Sequence, residues 1–88
     1  MDLLKELNKF ADGLEQLRDE IKVQLHLASL ESKQEWEQAE KQRDHFLAKL
    51  NEITKENSRS KEGLIEKAEM IGEELKSTYQ RIKDKLSE

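Results

Sequence analysis

A chain of 88 residues that is 41 % charged and only 34 % apolar has too little apolar material for a large core of its own. It has no cysteine, which excludes disulfides and thiolate metal sites. Its net charge of -4 argues against nucleic acid as the main partner.

The chain also lacks proline, and no glycine lies between Leu14 and Glu62. A sheet protein of this size needs frequent turns built from Gly, Pro, Asn and Asp, so the gap points to helix. No apolar run approaches the ~20 residues of a membrane span. The N-terminal MDLLKELNKF has no basic region followed by an apolar one, as a secretory signal would. The default expectation is one cytoplasmic helical domain over residues 1–88.

Residues from about 2 to 56 read as helix. Asp2 can cap its start. An apolar stripe then runs through Leu3, Leu7, Phe10, Leu14, Leu17 and Ile21, in the threes and fours of a bundle or coiled coil. Leu4 and Ala11 widen it. Gly13 costs about 1 kcal/mol relative to alanine within a helix and reads as a tolerated residue on the polar side.

The window Ile21–Leu30, IKVQLHLASL, is the most apolar of the chain. As a helix it has two nearly opposite apolar faces. One holds Ile21, Leu25 and Ala28; the other holds Val23, Leu27 and Leu30. As a strand it alternates over seven residues, but no turn signals bound it and no second strand exists to pair with it.

Beyond this window the stripe continues through Ser32, Trp36, Ala39, Arg43, Phe46, Leu50 and Ile53. At about 100° per residue, all of these share one sector with the first part of the stripe. This coherence favours a single long helix. Against it, Ser32-Lys33-Gln34-Glu35 fits the capping box that starts helices. The alternative is therefore a monomeric three-helix bundle that turns near Ser29–Ser32. Arg43 lies on the stripe, where snorkelling is the more common outcome and a glutamate on a facing helix the other. Trp36 reads first as a core filler and second as a partner anchor.

Residues 56–62, with two serines, an asparagine and no apolar side chain, predict a turn at about 57–61. Asn57 can end one helix and Ser58 or Ser60 cap the next. A second helix over about 62–87 carries Leu64, Ala68, Ile71, Leu75, Tyr79, Ile82 and Leu86, with Gly72 at the edge of the stripe. Glu62, Glu66, Glu69, Glu73 and Glu74 lie in its first half and Lys76, Arg81, Lys83 and Lys85 in its second, as the helix dipole favours.

A first helix of ~80 Å cannot be covered by a second of ~40 Å. The bare stripe predicts a second chain. The favoured architecture is thus all-α: an antiparallel hairpin of one long and one shorter helix, assembling into a dimeric helical rod. The candidate oligomer interface is Ile21, Val23, Leu25, Leu27, Leu30 and Trp36.

No chemistry-bearing motif accompanies this pattern. His26 and His45 lack metal-ligand spacing, and the serines lie in no nucleophile frame. Carboxylates alternate with lysines on solvated faces. The sequence therefore predicts no catalytic, cofactor or metal site. Its functional reading is a non-enzymatic helical oligomer serving as a structural or protein-interaction module, as a homodimer or with another protein. The alternative is reversible lipid-surface binding by amphipathic helices; mixed charge on the polar faces disfavours a membrane partner. The segment EIKVQLHLASLESKQEWEQAEKQ, Glu20 to Gln42, resembles small uncharacterised bacterial coiled-coil proteins that share an E-I-x-V-x-L-H-L-A core and a downstream E-W-E. This resemblance spans about a quarter of the chain and implies no activity.

Overall fold

A computed structural model describes residues 3–55 and 61–87. Helix α1, Leu3–Gln24, runs into a single 3₁₀ turn, Leu25–Leu27, which is followed by α2, Leu30–Lys55, and α3, Lys61–Leu86. The predicted turn at 57–61 and the Asp2 cap lie outside the described residues.

The expectation of one helix from about 2 to 56 is corrected here. The helix ends at Gln24, and Ala28 is extended, with φ -73° and ψ 145°. Ser29 then restarts the chain as a cap: the Ser32 amide donates to Ser29 Oγ at 3.2 Å, and the Lys33 amide donates to the Ser29 carbonyl at 3.0 Å. The cap is thus Ser29 rather than Ser32, three residues before the predicted capping box. Phase coherence could not detect this break. From Ile21 to Ser32 is 11 residues, close to three full helical turns, so the apolar row keeps its direction whether the chain continues or folds back.

Folding back puts both halves of the stripe against α3 within one chain. Glu15 and Arg18 of α1 meet Arg43 and Glu40 of α2, so these helices run antiparallel. Phe10 faces Gly72, and Glu20 faces Lys83, so α1 and α3 run parallel. Both α1 and α2 pack on α3. The bundle measures 45 × 21 × 15 Å.

The core follows seven-residue rows. Leu7, Leu14 and Ile21 are buried from α1, and Ser32, Ala39, Phe46 and Ile53 from α2. Because α3 faces two neighbours, it supplies two rows: Ala68, Leu75 and Ile82, and Ile65, Gly72 and Tyr79. Their alternating steps of three and four are the knobs-into-holes spacing of a bundle.

Gly72 has a specific steric role. The rings of Phe10 and Phe46 meet edge-to-face, with centroids 6.3 Å apart and planes at 76°. A Cβ at Gly72 would stand 2.5 Å from Phe10 Cε1 and 3.0 Å from Phe46 Cε1. Only a residue without a side chain admits both rings. Gly13, by contrast, is exposed, and a Cβ there would have nothing within 4 Å.

Candidate interaction surface

At one end of the bundle the end of α1, the start of α2 and the end of α3 converge. Three ion pairs tie them together. Lys83 reaches Glu20 of α1 at 2.7 Å, while Lys85 reaches Glu31 and Glu35 of α2 at 3.1 and 2.9 Å. Hydrogen bonds to Glu35 and then Glu31 raise the Lys85 pKa above its ordinary value. The lysines late in α3 thus complement its C-terminal dipole and also reach the neighbouring helices.

The structure divides the predicted interface residues into two groups. Ile21 is buried in the core, and Leu25 is half-buried beside it. They are used within the chain. Val23, Leu27 and Leu30 are instead 74, 71 and 75 % exposed. The two faces read in the Ile21–Leu30 window are therefore physically distinct, one turned inward and one toward solvent. Large apolar side chains exposed singly need no explanation, but these three lie within eight residues about the turn between α1 and α2 and together count as one apolar patch. A groove lined by Leu27, Ser29, Glu31, Ser32, Lys85 and Leu86 adjoins it at Leu27.

Trp36 lies elsewhere, half-buried on Tyr79, with ring centroids 6.0 Å apart. The Arg18 guanidinium stands 5.6 Å above the Trp36 ring and also binds Glu40 through two hydrogen bonds, Nε to Oε1 at 2.8 Å and Nη2 to Oε2 at 3.2 Å. This arrangement anchors α1 to α2 and occupies the face of the indole. Arg43 similarly donates to Glu15 Oε1 at 2.7 Å, so this stripe position meets a glutamate on the facing helix rather than snorkelling. The Arg18 hydrogen bond holds the Glu40 carboxyl below its ordinary value, and the Glu15 hydrogen bond raises that of Arg43.

Beneath this layer Tyr79 is fully buried, and its hydroxyl has no hydrogen-bond partner among the described residues. Burial pushes its pKa up to about 12. Sequence reasoning placed Tyr79 in the core but carried no signal for its unpartnered hydroxyl. It likewise missed the pairing of Arg18 with Glu40, which depends on the α1–α2 register.

No group of three or more His, Asp or Glu side chains among the described residues is placed to hold a metal ion. No helix among them is long and apolar enough to cross a membrane. Comparison of the chain with protein families, curated proteins and solved structures finds no match.

Proposed function

We propose that this chain is a non-enzymatic helical module that acts by self-association, as a homodimer in a structural or scaffolding role. The observation that carries this reading is the outward position of Val23, Leu27 and Leu30. Their burial is worth about 1.5–3 kcal/mol for each side chain fully removed from water. The core already holds both rows of α3 against α1 and α2, and none of the three contributes to it.

The rest of the surface supports the same reading. The two other large apolar side chains exposed among the described residues, Leu47 and Met70, lie in the second half of α2 and in α3, away from the turn between α1 and α2. Sedimentation velocity across a concentration series tests the proposal. A reversible shift from 10.4 kDa toward twice that mass supports it. A single species of monomer mass from micromolar to about 1 mM contradicts it.

A further inference from the structure

The charges that flank Val23, Leu27 and Leu30 in the sequence have a self-complementary order, and among the described residues the bundle uses only the carboxylates of this set. Reflect the sequence about the midpoint between His26 and Leu27. Val23 then falls on Leu30, Lys22 on Glu31, and Glu20 on Lys33. Each of these three pairs is either apolar with apolar or basic with acidic, while Leu27 falls on His26. Further out, Arg18 falls on Glu35. No residue from Arg18 to Glu35 falls on one of like charge.

All seven residues of the inner set, Glu20, Lys22, Val23, Leu27, Leu30, Glu31 and Lys33, are exposed. Lys22 and Lys33 make no ion pair among the described residues. Among the described residues Glu31 pairs only with Lys85, and its side chain remains 76 % exposed. The Glu20–Lys83 pair is similarly open to solvent. These carboxylates are available to another cation at little cost, since exposed pairs contribute little.

Resting on the self-association proposed above, we infer that the turn between α1 and α2 is a two-fold contact whose partner is a second copy of this chain. The end of α1 in one copy lies against the start of α2 in the other. Val23 meets the second copy's Leu30, and Leu27 lies beside the axis against the second copy's His26. Lys22 faces the second copy's Glu31, and Glu20 faces its Lys33.

An isologous contact requires a surface complementary to itself, so each charge must find its opposite across the axis. The reflected order meets this requirement. An unrelated partner would need no such order. The apolar centre is small and rimmed by charge, which suits a reversible dimer rather than an obligate one. The charged rim fixes register and excludes wrong pairings.

The test uses two single charge reversals, Lys22→Glu and Glu31→Lys, in the full chain. Each homodimer would then oppose like charges twice, and each should weaken by more than about tenfold. Mixed in equal amounts, the two variants should form a heterodimer preferentially, because every reversed charge then meets its opposite. The double variant Lys22→Glu/Glu31→Lys should recover wild-type affinity. Mass is read by sedimentation and composition by native mass spectrometry, with one variant isotope-labelled.

A second measurement needs no substitution. Carbodiimide cross-linking of mixed light and heavy wild-type chains should join Lys22 of one chain to Glu31 of another. Preferential heterodimers together with this cross-link support the geometry. A wild-type dimer whose affinity is unchanged by either reversal, or one without the intermolecular cross-link, overturns the geometry and leaves self-association standing. A wild-type chain that stays monomeric overturns both.

Discussion

Arg18 of α1 grips Glu40 of α2 through two hydrogen bonds while its guanidinium covers the face of Trp36. One side chain thus links two helices and shields an aromatic ring. Arg18→Ala should destabilise the bundle by about 1–2 kcal/mol, combining a partly exposed ion pair with a cation–π contact. Arg18→Lys should recover only part of this, because lysine lacks the planar fork. Urea unfolding followed by fluorescence checks both. Trp36 is the only tryptophan, so the signal reports this contact directly.

The same pair gives an acid dependence of known sign. The Glu40 pKa is lowered in the folded chain, chiefly by the Arg18 hydrogen bond. Its contribution is therefore present above the ordinary carboxylate value and is lost as pH falls through the lowered one. The stability gap between wild type and Glu40→Gln should close over that acidic range and stay constant near neutrality. A gap unchanged by acid would show that the carboxylate charge is not what the contact uses.

Tyr79 supplies an alkaline counterpart. Its pKa is raised to about 12 by burial, so its contribution is complete below the ordinary tyrosine value of about 10 and is lost as pH rises through about 12. It is the only tyrosine, so tyrosinate absorbance follows this one group. Ionisation should be delayed beyond that of a free tyrosine and should coincide with loss of helix. Because its buried hydroxyl has no hydrogen-bond partner among the described residues, Tyr79→Phe should be neutral or stabilising by up to about 1 kcal/mol.

The glycines should respond in opposite directions. Gly72→Ala places a methyl group against Phe10 and Phe46 and should cost about 1–3 kcal/mol through overpacking. Gly13→Ala adds a methyl group in open space on an exposed helical face and should stabilise by about 1 kcal/mol. Thermal unfolding by circular dichroism separates the two outcomes.

Much of this architecture was legible in the sequence. The threes and fours from Leu7 to Ile53 and from Leu64 to Leu86 mark the helices and most of the core. The opposed faces of the Ile21–Leu30 window foreshadow its buried and exposed groups. The break between Gln24 and Leu30 was not legible as a preference, because a spacing of 11 residues preserves phase through a turn. Nothing local forces that break either, since the segment has no glycine, no proline and no positive φ among its residues. Tertiary packing on α3, aided by the Ser29 cap, decides it. In the sequence Gly72 reads only as a residue at the edge of its stripe, because its role depends on two rings from other helices, which periodicity within α3 cannot reveal.

The most direct test of the account is the mass of wild type and Leu27→Asp by light scattering at matched concentrations, with helix content measured in parallel. Leu27 is the middle of the three exposed apolar residues in the sequence and contributes nothing to the buried core. The account predicts a concentration-dependent dimer for wild type, and for Leu27→Asp a monomer of unchanged helix content. A Leu27→Asp chain that dimerises as wild type does, or a wild type that never exceeds monomer mass, would contradict it.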